Sequence, residues 1–146
     1  MRWLIAVLAL AGVVDASLAL REHYRTDTSP CSINEKWDCG TVNHSPYAVF
    51  AGTPVAIIGI AGYVLLGGLA FKRAWRMLLA ASLIGLVFSL YLTSIEADKN
   101  KLGVWCIYCV TSQGIIALIF LASVAQAVMM FSRGRKQSPE SPSPPS

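Results

Sequence analysis

The chain is poor in charge. Of its 146 residues, 14% are charged, against about one quarter in soluble domains. That scarcity, with 55% hydrophobic residues, excludes an ordinary water-soluble fold. There are only two histidines, His23 and His44, and neither has a partner at metal-ligand spacing. Each reads as a solvated surface residue in a polar loop. The net charge of +4 comes from basic residues at turns rather than from a basic run, so nothing calls for nucleic acid. Cysteine is scarce too. There are four, and a single C-x-x-C leaves no second pair to complete a paired zinc site.

What is present is apolar length. The runs Trp3–Leu20, Pro54–Phe71 and Met77–Ile95 each suffice to cross a hydrocarbon core, and Val104–Phe131 exceeds a minimal span. They predict an all-α integral membrane protein, with one membrane domain over 1–131. Residues 132–146, basic and then Ser/Pro-rich, are expected to be a disordered cytoplasmic tail. Arg2 ahead of the first run would also suit a signal peptide, with Ser17-Leu18-Ala19 as its cleavage site, although Asp15 interrupts the apolar region. Gly59, Gly62, Gly67 and Gly68 in the second run, and Ser82, Gly85 and Ser89 in the third, read as small residues for close helix packing. Thr53-Pro54 reads as a helix cap followed by a first-turn proline.

Orientation follows from the cations. Arg2, the Lys72/Arg73/Arg76 turn and Arg133/Arg135/Lys136 fall on one side, whereas the loops 21–52 and 96–103 mix both signs. The positive-inside rule puts the termini in the cytoplasm and both mixed loops outside. All four cysteines, Cys31, Cys39, Cys106 and Cys109, then face an oxidising compartment where disulfides persist.

Cys106-Ile107-Tyr108-Cys109 opens the last apolar run. Residues i and i+3 share a helix face, and a helix N-terminus favours a thiolate. Redox exchange is the leading reading, with a zinc ligand pair or an inert bridge as alternatives. Cys31 and Cys39 alone would suit a stabilising disulfide. On the same side as a C-x-x-C, they can instead pass electrons inward by thiol–disulfide exchange. Electrons at that depth need a lipid-soluble acceptor, and a quinone fits. Gln113, one turn below Cys109, could meet a quinone carbonyl or bond a neighbouring helix. Asp15, ionisable within a span, could relay a proton or lie solvated near the interface.

The order of these features resembles the vitamin K epoxide reductase family in its bacterial form. The resemblance covers about residues 1–131. It rests on the loop pair Cys31…Cys39, on the segment Thr41-Val42-Asn43-His44-Ser45-Pro46-Tyr47-Ala48-Val49-Phe50-Ala51-Gly52-Thr53-Pro54, on Gly59-Ile60-Ala61-Gly62-Tyr63, and on Cys106-Ile107-Tyr108-Cys109. It implies a four-helix transmembrane bundle around a quinone of ubiquinone or menaquinone type. An outer-face loop and a short capping helix would cover the site.

By the same resemblance, Cys31 would meet a separate thioredoxin-fold periplasmic protein, Cys39 would shuttle to Cys106, and Cys109 would lie beside the quinone. Ser45, Tyr47 and Phe50 would belong to the quinone pocket. Gln113 stands where animal members carry a tyrosine, which favours a plain quinone over an epoxide. The implied activity is a thiol:quinone oxidoreductase of the bacterial inner membrane that supports disulfide formation. The DsbB-type disulfide oxidases place their C-x-x-C in the first outer loop, the reverse of the order here. A metal-handling membrane protein would need all four sulfurs reduced around one soft ion.

Overall fold

A computed structural model of the chain describes residues 1–24, 34–98, 100 and 103–137. Four long helices account for most of it: α1 (Arg2–Tyr24), α3 (Val55–Phe71), α4 (Trp75–Ala97) and α5 (Ile107–Gln137). A one-turn helix, α2 (Cys39–Asn43), a 3-10 turn at Pro46–Ala48 and a two-stranded hairpin, β1 (Val49–Phe50) with β2 (Thr53–Pro54), lie between α1 and α3. Among the described residues, α1, α4 and α5 are long and apolar enough to cross a membrane. α3 is equally apolar but has 17 residues. It rises ~26 Å at 1.5 Å per residue, somewhat under a hydrocarbon core of about 30 Å.

The helices run alternately up and down. α1 packs on α3 and α5, and α4 packs on α5 and α3. Their shared core is small and apolar, built on Ile5, Tyr63, Leu66, Leu78, Ile116 and Ile119. Large side chains such as Val7, Leu10, Val64, Ile84, Val87, Leu118 and Leu121 point outward. An apolar exterior around a thin core is what a bundle needs when its solvent is lipid. The glycines of α3 serve packing in part. A Cβ added at Gly59 would lie 3.5 Å from the Ala16 methyl, and one added at Gly67 would lie 3.5 Å from the Ala9 methyl.

Several local expectations are corrected. The polar segment after residue 20 is not all loop, because α1 continues to Tyr24 and carries His23. Thr53 does not cap α3. It pairs with Phe50 in the hairpin, and Pro54 takes the cap position without a side-chain hydrogen bond. The expected capping helix is a 3-10 turn followed by this hairpin. Its two-residue turn places Ala51 and Gly52 at φ 51° and 80°, the left-handed pair that a tight hairpin requires. At the far end, α5 runs past Phe131 as helix to Gln137.

Asp38 fixes α2. Its Oδ1 accepts the Thr41 N–H at 3.1 Å, and its Oδ2 accepts the Thr41 hydroxyl at 2.9 Å. Asp38→Ala is expected to lower stability by about 1 kcal/mol, the usual worth of such a cap. Thermal unfolding in detergent measures this loss.

Candidate active site

Backbone bonding draws the two loops at one end of the bundle together. The Trp105 N–H donates to the Lys36 carbonyl at 2.7 Å, and the Asp38 N–H donates to the Trp105 carbonyl at 3.0 Å. The result is a parallel bridge between Trp37 and Trp105. One residue beyond the bridge on each strand stand Asp38 and Cys106, and Cys39 follows. Cys39 and Cys106 are both 0% exposed. With Val42 they form one buried cluster, against which Val104, Tyr108 and Cys109 pack. Cys39 is disulfide-bonded. Cys31 lies outside the described residues.

Cys106 and Cys109 are both thiols. Cys106 immediately precedes α5, so the first free N–H groups of the helix point at its sulfur. The Cys109 thiol donates to Cys106, and the backbone N–H groups of Cys109 and Tyr108 add to it. The Cys109 hydrogen bond is the largest cause holding the Cys106 thiol below its ordinary range. Burial and the Glu96 charge act the other way. Cys106 is therefore the sulfur better suited to act as a thiolate near neutral pH.

Cys109 faces elsewhere. It lines a half-open cavity of about 500 Å³ bordered by the four long helices and the loop above them. The walls are mostly apolar, with Ala16, Ile58, Leu66, Phe88, Leu92 and Ile116. The hairpin roofs it, and Phe50 meets Phe88 edge to face with ring centroids 5.6 Å apart. A few polar groups interrupt the apolar lining: Asp15, His23, Tyr63, Ser89, Thr93, Glu96 and Ser112. The Tyr63 hydroxyl donates to the Ser112 carbonyl at 3.0 Å and lies 2.7 Å from the Ser112 hydroxyl.

Of the residues expected at a quinone, Tyr47 and Phe50 line this cavity beside Cys109. Ser45 and Gln113 are not in its wall. The Ser45 hydroxyl donates to the Val42 carbonyl at 2.7 Å. Gln113 presents its side-chain oxygen to the Ser89 hydroxyl and, at 3.3 Å, to the Thr93 hydroxyl. Gln113 therefore makes the interhelical bond that its position also allowed, and it orients two hydroxyls that do line the cavity. Asp15 is 6% exposed, and its Oδ2 has no hydrogen-bond partner among the described residues. His23, expected in solvent, is half-buried at the rim.

Two groups escaped sequence reasoning. In the sequence Tyr63 is only the last residue of Gly59-Ile60-Ala61-Gly62-Tyr63, yet it is buried and joins α3 to α5. Glu96 looked like one more charge in a mixed loop. It is 3% exposed at the end of α4. Its Oε2 accepts the Cys106 N–H at 3.2 Å, and its carboxylate is a second acceptor within reach of the Cys109 thiol, in competition with the Cys106 sulfur. An ionisable residue ending an apolar run ten positions before a C-x-x-C was the signal available.

No curated protein matches the chain. A family model described as "Vitamin K epoxide reductase family" matches residues 3–124. That stretch includes all four long helices up to the middle of α5, and both cysteine couples. Fold, cysteine order and family match agree, and the chain belongs to the vitamin K epoxide reductase family of membrane oxidoreductases.

Proposed function

We propose that this protein is a membrane thiol:quinone oxidoreductase that reoxidises a separate thioredoxin-fold protein. One observation carries the reading. Cys106 is buried against Cys39 on one side, while its neighbour Cys109 opens onto an apolar cavity on the other. A relay of sulfurs needs that two-sidedness, since one face exchanges disulfides and the other discharges electrons.

The cavity suits a quinone by size, apolarity and a few polar groups. When bound, a quinone supplies a two-electron, two-proton sink. Tyr47, Phe50 and Phe88 would cover its ring. The thioredoxin-fold partner's thiolate would attack the Cys31–Cys39 couple at Cys31. Cys39 would then exchange with a Cys106–Cys109 disulfide, leaving the pair reduced and Cys109 beside the cavity. The Cys106 thiolate is placed to close the pair again once electrons leave.

Orientation agrees with this reading. Cys39, Cys106 and Cys109 are at the end where α1 and α4 finish and α3 and α5 begin. Arg2, Lys72, Arg73, Arg76, Arg133, Arg135 and Lys136 are at the other. By the positive-inside rule the active end faces the periplasm or cell exterior, and α3 completes a four-helix bundle across the bacterial inner membrane.

The test mixes the purified protein with a reduced thioredoxin-fold protein and a ubiquinone or menaquinone analogue, and follows quinol. Quinol equal to the partner thiol pairs consumed is the expected result. No quinol with either quinone class overturns the reading. Within the same assay Asp15 is expected to act as a proton relay, because it is a buried carboxyl that lines the cavity with an Oδ2 that has no hydrogen-bond partner among the described residues. Asp15→Asn is expected to lower kcat about tenfold, the worth of one buried hydrogen bond to a reacting group.

A further inference from the structure

Glu96 is placed as no packing need explains. A carboxylate at the end of an apolar helix is ordinarily turned toward water, yet this one is buried with its acceptor atoms on the C-x-x-C. Burying a charged group costs several kcal/mol unless it is hydrogen-bonded. Its described partners are the backbone N–H of Cys106 and the thiol of Cys109. The first partner persists through every redox state. The second exists only while the pair is reduced. Glu96 also lines the same cavity as Cys109, so one side chain touches a reacting sulfur and borders the space for the oxidant.

We propose that Glu96 is the catalytic base of the electron-transfer step, taking the Cys109 thiol proton and delivering it into the cavity. The proposal rests on the thiol:quinone reading above. The balance is that of a dithiol oxidation. A sulfur–sulfur bond forms between Cys106, acting as its thiolate, and Cys109, which loses its thiol proton. Two electrons and two protons pass to the quinone, which leaves as quinol. One proton replaces the one Cys106 gave up on ionising and comes from the medium by way of Asp15. The other goes from the Cys109 sulfur to a Glu96 carboxylate oxygen and on to an oxygen of the acceptor. Glu96 begins and ends as a carboxylate.

Glu96→Gln separates this role from scaffolding. Glutamine keeps an oxygen for the Cys106 N–H but accepts no proton. Two rates are read on the full chain, purified in detergent and reduced with dithiothreitol. The first is alkylation of Cys109 by iodoacetamide at pH 7, without quinone. It is expected to be at least as fast in Glu96→Gln, since a neutral neighbour does not repel the thiolate. The second is single-turnover quinol formation, expected to fall about 100-fold, as for loss of a general base. Glu96→Asp, which still takes a proton, should recover part of the second rate.

Equal slowing of both rates, or no change in either, overturns the proposal. Failure of the parent reading looks different. The unmodified protein then makes no quinol, while the alkylation comparison still reports whether the Glu96 charge bears on Cys109.

Discussion

Cys109→Ala is expected to stop quinol formation while still consuming a single equivalent of partner thiols. The variant keeps Cys39 in its buried cluster and keeps both loop cysteines, which the proposed partner would attack. A reduced thioredoxin-fold protein should therefore be oxidised once per molecule and then no further. Without Cys109 the membrane pair can form no disulfide, so nothing re-oxidises the loop couple. A stopped-flow trace of partner thiols should show a burst of one equivalent with no steady phase. Quinol absorbance should stay at background. Turnover that survives this change would remove the cavity-facing sulfur from the path and with it the thiol-relay account.

The burst also separates the two couples in a way that simple inactivation does not. Cys106→Ala removes the sulfur packed against Cys39 but leaves the cavity-facing one. It should give the same single burst. The two variants differ instead in the reactivity of the thiol that remains. In Cys109→Ala the remaining Cys106 keeps the backbone N–H groups of Tyr108 and residue 109 but loses the Cys109 hydrogen bond, the largest cause of its lowered thiol pKa. Its thiolate fraction should therefore fall at neutral pH and be restored only as pH rises.

Much of this arrangement was legible without coordinates. Long apolar runs predict long helices because lipid leaves backbone groups no other partners, and α1, α4 and α5 follow those runs closely. The C-x-x-C was expected at a helix start, and α5 begins at Ile107 inside it. Charge asymmetry placed the two polar loops at one end, where the Trp37–Trp105 bridge joins them. What escaped was tertiary. Glu96 is ten positions before Cys106, and only the return of the chain after α4 brings its carboxylate onto that N–H. Asp15 and Gln113 each had two readings, and which side faces the cavity depends on helix rotation, which hydrophobic periodicity barely reports when every face is apolar. His23 was assigned to a loop because polar residues end an apolar run before the helix itself ends.

The same dependence on close helix approach makes Gly12→Leu the variant expected to cost the most stability. A Cβ added at Gly12 would overlap the Tyr63 ring at Cδ1. Even alanine therefore cannot enter unless the ring moves. The ring has little freedom, because its hydroxyl is bonded to Ser112 on α5 and its body is buried in the common core. A leucine must break the Tyr63–Ser112 bond or part α1 from α3. Overpacking of this kind costs about 1–3 kcal/mol, and the lost buried hydrogen bond adds about 1 kcal/mol. Loss of several degrees in thermal midpoint, measured in detergent, is the expected outcome. Tyr63→Ala in the same background should relieve it in part, because the clashing ring is gone and a cavity replaces the strain. If Gly12→Leu unfolded at the parent temperature, α1 and α3 could not be packed with Tyr63 between them. The cavity bordered by Asp15, Tyr63 and Cys109 would then lose one of its walls.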